Sequence, residues 1–188
     1  MSELLPDIPV DKEFCLAKHT TVGVGGNAVA FFPQSIRRLC SLARLCERLN
    51  MRYFPLGAGS NVLPPDGDYS GVIIATDNFR NAAVDGTKLT VEAGMSVSGL
   101  LSLCKKRGLS GLEFLAGIPA KVGGLVYMNA GVHAGHVADK LESVTFLRHG
   151  KIITLPAKHC AFGYKDSIFQ HYSCFILSAR FALEQSMP

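Results

Sequence analysis

What this sequence lacks narrows it first. Its six cysteines (Cys15, Cys40, Cys46, Cys104, Cys160 and Cys174) include no CxxC pair, so zinc is not expected and no metal site is assigned. Free thiols in a reducing compartment are the simpler reading. No apolar run reaches the length of a membrane span. The first residues, MSELLPDIPVDKEF, hold no apolar core of signal length. A cytoplasmic protein with no membrane partner is therefore expected. A basic stripe is also missing. The densest cluster, CKKRG at Cys104 to Gly108, is short and the net charge of +4 is mild, so nucleic acid is not expected as a partner. There is no internal repeat, low-complexity tract or charged linker.

What is present points to a packed protein. Hydrophobic residues make up 48% and charged residues 18%, which excludes disorder. The 188 residues suffice for one domain or two small lobes. AVAFF at residues 28–32 reads as a strand stopped by Pro33. Ser35 then caps an amphipathic helix with Ile36, Leu39, Cys40, Ala43 and Cys46 on its apolar side, ending near Asn50. RYFPLG and GVIIAT are strands on either side of a glycine-rich turn. Residues 1–75 thus read as a small α/β lobe, and residues 76–188 as a second. In the second, RNAAVDGTKLTVEAG is a hairpin turning at Asp85-Gly86, and SVSGLLSLCKKRG a helix capped by Ser96 and ended by Gly108. LESVTFLRHGKIITL is a hairpin turning at His149-Gly150, and SCFILSARFALEQ a last strand.

Three glycine-rich stretches carry the chemistry. GVGGNA, Gly23 to Ala28, fits the GxGxxA pattern of dinucleotide-binding turns, but it feeds a strand where that motif needs a helix N-terminus. GAGSN, Gly57 to Asn61, is followed by Pro64-Pro65, which also forbids a helix. Successive N–H groups in such a turn form an anion-binding nest without a helix, and Ser60 and Asn61 add donors. A tight turn between buried strands explains it equally well. Gly117 to Gly131 gathers GIPAKVGG and NAG, a density of small residues suited to a flat, closely approached ligand.

In order, HTTVGVGG, LGAGSNVL, GVII, VEAGMSVSGLLSLCKKRGLSGLEFLAGIPAKVGG, MNAGVHAGH and FGYKDSIF resemble the successive motifs of the UDP-N-acetylenolpyruvoylglucosamine reductase family, across residues 18–183. The resemblance implies an α+β, FAD-binding fold of the vanillyl-alcohol-oxidase (PCMH) type, in which two lobes hold a non-covalent FAD. It implies that Gly57, Gly59, Ser60 and Asn61 hold the pyrophosphate. Ile118, Pro119, Gly123, Gly124, Asn129, Ala130 and Gly131 then line the flavin. In that family NADPH reduces the flavin, which passes hydride to the enolpyruvyl double bond of a UDP-sugar. A serine protonates the resulting enol, while an arginine and a glutamate assist. The flavin supplies the redox chemistry and the protein positions and polarises.

The departures are specific. Lys165 stands at the arginine of the family's FGYRxSxF, and an ammonium is not a guanidinium fork. Ala120 replaces the last glycine of GIPG and would be strained at positive φ. Gly23 stands where a basic residue is common, and His133-Ala134 where Tyr-Gly follows NAG. Ser167, Ser178 and Glu184 do not match the family's serine and glutamate, which belong to a third, UDP-sugar-binding domain expected to be absent here. UDP-sugar would then be a partner only if that domain were supplied, and the surface it covers favours self-association. His133 and His136 read as loop histidines in preference to a metal pair or a flavin attachment. Two rival readings stay open: a non-catalytic scaffold that kept the fold, and a minimal flavin reductase with another acceptor.

Overall fold

The computed structural model describes residue 5 and residues 7–186. The chain divides into two units, one up to Phe79 and one from Arg80.

The first unit is built on a four-stranded sheet. Strand β1 (Val10–Cys15) pairs antiparallel with β2 (Asn27–Phe31), with a register shift between Asp11 and Phe14. Helix α1 (Ile36–Arg48) starts where the Ser35 hydroxyl accepts the Arg38 N–H at 3.3 Å. It stops at Leu49, and Asn50 then turns to φ 50°. Its buried face is Leu39, Leu42, Ala43, Leu45 and Cys46. Ile36, expected on that face, is exposed. Strands β3 (Tyr53–Leu56) and β4 (Val72–Ala75) complete the order β1-β2-β4-β3, with β2 and β3 both parallel to β4. All four residues of β4 are buried, as a continuous apolar run between parallel neighbours requires. The core includes Phe14, Leu16, Ala28, Ala30, Leu56 and Ile73. Thr76 ties the next turn back to this sheet: its N–H and hydroxyl both donate to the Leu56 carbonyl, at 3.1 and 3.2 Å.

The second unit is a five-stranded antiparallel sheet with two helices on its core. Strands β5 (Ala82–Asp85) and β6 (Lys88–Glu92) form the Asp85-Gly86 hairpin. Helix α2 (Val97–Arg107) is capped by Ser96, whose hydroxyl accepts the Gly99 N–H at 3.1 Å. It ends at Gly108 in the left-handed conformation, φ 64°. A short strand β7 (Leu109–Ser110) and helix α3 (Val122–Tyr127) follow, and then the two-residue strands β8 (Gly131–Val132) and β9 (Gly135–His136). Strands β10 (Leu141–Arg148) and β11 (Lys151–Pro156) meet at His149-Gly150, both at positive φ as a tight hairpin turn demands. Strand β12 (Phe175–Ala182) then enters the sheet, and β13 (Glu184–Gln185) pairs with β7. The sheet order is β11-β10-β12-β6-β5. Leu89 and Val91 of β6, Val144 and Phe146 of β10, and Ala179 and Phe181 of β12 form one cluster with Leu100 and Cys104 of α2 and Leu125 and Val126 of α3.

Candidate functional site

The first unit carries the GAGSN turn directly after β3. Gly59 is the fixed point. It sits at φ +67°, and a Cβ there would lie 2.0 Å from the His19 carbonyl oxygen and 2.9 Å from the Thr20 Cα. Its own carbonyl accepts the Thr21 N–H at 3.1 Å. The turn is therefore pressed onto the loop that follows β1, and only glycine allows that approach. Around it, Ala58 and Asn61 are exposed and Gly57 and Ser60 half-buried. Among the described residues, no protein acceptor takes the N–H of Gly57, Ala58, Gly59 or Ser60. Four successive donors without protein partners are what an anion nest offers.

GVGGNA leads straight into β2, without the helix a dinucleotide turn requires. Its Gly25-Gly26 pair serves packing. A Cβ at Gly26 would lie 2.5 Å from the Gly67 carbonyl carbon, and one at Gly25 2.6 Å from Pro64 Cγ. The Gly26 N–H donates to the Pro65 carbonyl at 3.1 Å. The double proline that ends the GAGSN segment is thus the surface on which this first glycine pair rests. Nothing in the local pattern signals that contact, because it joins loops some forty residues apart (65 − 26 = 39).

In the second unit, the stretch from Gly117 to Gly131 wraps α3. Gly123 packs against Ala93 at the end of β6: its N–H donates to the Ala93 carbonyl at 2.8 Å, and a Cβ would lie 3.0 Å from the Ala93 Cβ. Gly124, one residue on, faces the opposite way, exposed with nothing within 4 Å of a Cβ. Gly117 is open in the same sense. Among the described residues, neither N–H meets a protein acceptor. Ile118, Ala130 and Gly131 are half-buried, and Pro119 is exposed. Ala120 lies outside the left-handed region. Its N–H reaches the Ile118 carbonyl at 2.9 Å and its carbonyl takes the Val97 N–H at 3.0 Å, so alanine there is unstrained. Tyr127 closes α3, and burial pushes its phenol pKa upward, with the nearby Cys174 adding to it.

Asn129 follows α3 at φ 41°, a left-handed position after a helix end that asparagine tolerates. It is buried, and both ends of its amide are engaged by the protein. Nδ2 donates to the Gly163 carbonyl at 2.8 Å, and Oδ1 accepts the Ala138 N–H at 3.1 Å. Its side chain therefore joins the α3 end to the loop that carries Lys165.

Lys165 sits in a turn closed by reciprocal bonds between Gly163 and Asp166, at 3.0 and 3.3 Å. It is exposed and at φ 54°, a conformation costing a side-chain-bearing residue about 1 kcal/mol. Tyr164 beside it is 85% exposed. Ser167 is fully buried, and its hydroxyl donates to the Tyr127 carbonyl at 2.7 Å. Gln170 Nε2 donates to the same carbonyl at 3.1 Å and to the Lys165 carbonyl at 2.9 Å. The structure thus brings the Lys165 turn and the Gly117–Gly131 stretch together within one unit. His133 is exposed; His136 begins the next turn, its N–H donating to Asp139 Oδ2 at 2.7 Å.

A family described as FAD binding domain matches residues 27–155. The chain belongs to that family. It is similar to UDP-N-acetylenolpyruvoylglucosamine reductases of Streptococcus pneumoniae. The JJA strain's protein is 36% identical over 97% of this chain and 62% of its own length, and that of strain CGSP14 is 38% identical with the same coverage. The chain thus spans about three fifths of these relatives. The crystal structure of UDP-N-acetylenolpyruvylglucosamine reductase from Thermus caldophilus superposes with a TM-score of 0.81 at 31% identity, over 96% of this chain and 63% of that one. Cholesterol oxidase from Brevibacterium sterolicum superposes at 0.73 with 15% identity, over 96% of this chain and 38% of its own, a likeness of fold alone. The FAD-binding domain therefore has the vanillyl-alcohol-oxidase (PCMH) fold.

Proposed function

We propose that this chain is the FAD-binding part of a UDP-N-acetylenolpyruvoylglucosamine reductase, acting in the cytoplasm with NADPH as reductant and a UDP-sugar as substrate. What supports the reading is the coincidence of two things. The chain is 36–38% identical to such reductases over 97% of its length. In the two glycine stretches that the resemblance assigns to FAD, the N–H groups of Gly57 to Ser60 and of Gly117 and Gly124 meet no protein acceptor among the described residues, and the faces of Gly117 and Gly124 are open.

The residues fit the cofactor. The Gly57–Asn61 donors suit a pyrophosphate, since charge-assisted bonds from backbone N–H groups to phosphate oxygens are strong. The side-chain-free faces at Gly117 and Gly124 admit a flat ring, with Ile118, Pro119, Ala130 and Gly131 beside it. Asn129 contributes by holding the adjoining loops. Lys165 supplies the positive charge where the family has arginine. Bound FAD would supply hydride transfer between NADPH and substrate.

The test is the visible spectrum of the purified protein, before and after incubation with FAD and desalting. A stoichiometric flavin band that denaturation releases intact is expected. The 188 residues by themselves are expected to leave UDP-N-acetylenolpyruvoylglucosamine unreduced. A protein that refuses FAD would refute the reading and favour a scaffold that kept the fold.

A further inference from the structure

We infer that Ser167 and Gln170, together with Asn129, are positioning residues that fix the direction of the Lys165 ammonium; this rests on the reading above that the flavin lies along the Gly117–Gly131 stretch and that Lys165 supplies the positive charge there. Five non-glycine residues lie at positive φ among the described residues. Asn50 follows a helix end and His149 sits in a hairpin turn, so both have local causes. Asn129 also follows a helix end, and with Ala161 and Lys165 it belongs to one joint. Asn129 holds the Gly163 carbonyl, midway between Ala161 and Lys165. Strained residues persist where their surroundings over-determine them, and such strain gathers at functional sites.

The bonds by which Ser167 and Gln170 hold this joint reach two further carbonyls. The Tyr127 carbonyl, at the end of α3, receives both the Ser167 hydroxyl and the Gln170 amide. That amide also grips the carbonyl of Lys165 itself. The backbone of Lys165 is therefore tied to the helix that carries Gly123 and Gly124, although 41 residues separate Lys165 from Gly124 (165 − 124 = 41). Asp166, next in the chain, is held from the other side by His171 at 3.2 Å. Arginine would bring a rigid fork that orients itself on its partner. Lysine brings a flexible stem and a point charge, so its aim depends on where the backbone releases it. A strained turn bolted to the helix supplies that direction. Among the described residues, no carboxylate lies within 4 Å of the Lys165 ammonium, which leaves its charge for a ligand.

The experiment uses the FAD-loaded protein and sulfite. The sulfur lone pair of sulfite bonds to flavin N5, an electron pair moves onto the ring at N1, and the visible band bleaches. A cation beside the ring favours the adduct. Lys165→Ala is expected to raise the sulfite dissociation constant roughly tenfold, and Gln170→Ala and Ser167→Ala each about three- to tenfold, within the coupling range of contacting groups. In the Lys165→Ala background, Gln170→Ala is expected to add nothing. A Gln170 effect that persists undiminished in that background would overturn the inference, since loosening of the fold alone does not depend on Lys165. So would sulfite binding unchanged by Lys165→Ala in a protein that holds FAD. Should Ser167→Ala fail to fold, Gln170→Met, which keeps the length and loses the donor without adding a charge, decides the matter by the same cycle. A wild-type protein that binds no FAD refutes the functional reading, and this inference falls with it.

Discussion

Gly59→Ala tests the geometry of the GAGSN turn most directly. Two costs add. An alanine at φ +67° lies in the left-handed region, which costs about 1 kcal/mol. Its Cβ would stand 2.0 Å from the His19 carbonyl oxygen, far inside the ~3.5 Å at which non-bonded atoms attract, and the opposing atom is backbone that cannot swing aside. Overpacking against fixed atoms costs about 2 kcal/mol more. The sum of about 3 kcal/mol is more than a hundredfold in the folding equilibrium. With a urea slope of about 2 kcal/mol per molar, the midpoint should fall by roughly 1.5 M. The chain has no tryptophan, so far-UV circular dichroism should follow the transition. Gly23→Ala is the control. Gly23 has nearly the same φ, +70°, with nothing within 4 Å of a Cβ, so only the first cost, about 1 kcal/mol, should appear. Equal midpoints for the two variants would refute the reasoning, because the contact with His19 would then have no energetic consequence.

Other predictions follow from the same contacts. Gly124→Ala places a Cβ in open space on a short helix, so the FAD-free protein should melt about 1–2 °C higher. FAD affinity should nevertheless drop at least about tenfold, or ~1.4 kcal/mol, if the flavin lies on that face. A variant that gains in both measurements would remove the ring from it. Asn129→Ala leaves the Gly163 carbonyl and the Ala138 N–H without their partner and should cost about 3 kcal/mol in urea unfolding. Burial pushes the Cys46, Cys104, Cys160 and Cys174 thiols up to about 11. An unfolded thiol ionises near 9, so between these values the native state holds more protons than the unfolded one. Stability should be flat below pH 9 as far as these groups decide it, and fall steadily between pH 9 and 11. A urea midpoint that does not fall across that window would contradict their burial.

The elements with local punctuation were legible in the chain. Ser35 and Ser96 start their helices, Gly108 ends one, and Asp85-Gly86 and His149-Gly150 turn their hairpins, each through a side chain or a φ value that needs no distant partner. Strand β1 was not legible. Asp11, Lys12 and Glu13 are exposed at a sheet edge, so no apolar alternation marks it, and pairing with β2 alone makes it a strand. The site divides along the same line. The open N–H groups of Gly57 to Ser60 follow from glycine and proline chemistry, although the residues alone fit a nest and a tight turn equally. The packing of Gly25 and Gly26 on Pro64–Gly67 and the bridge from Asn129 to Gly163 are long-range contacts. The motif NAG singles out Asn129, but nothing near it shows that its amide would face inward.

The order of strands in the second unit also has a consequence for how the protein is made. Strand β12, residues 175–182, lies in the middle of the five-stranded sheet, flanked by β10 and β6, yet it is the last of the five in the chain. Strands β6 and β10 cannot become neighbours of a finished sheet until it arrives, and its partner in β6 lies about ninety residues earlier (179 − 91 = 88). The first unit closes its four strands within its own 79 residues. Synthesis from the N-terminus should therefore deliver a folded GAGSN turn while the apolar edges of β6 and β10 still wait unpaired. Over that interval at ~5–20 residues per second the nascent chain is most exposed to mispairing.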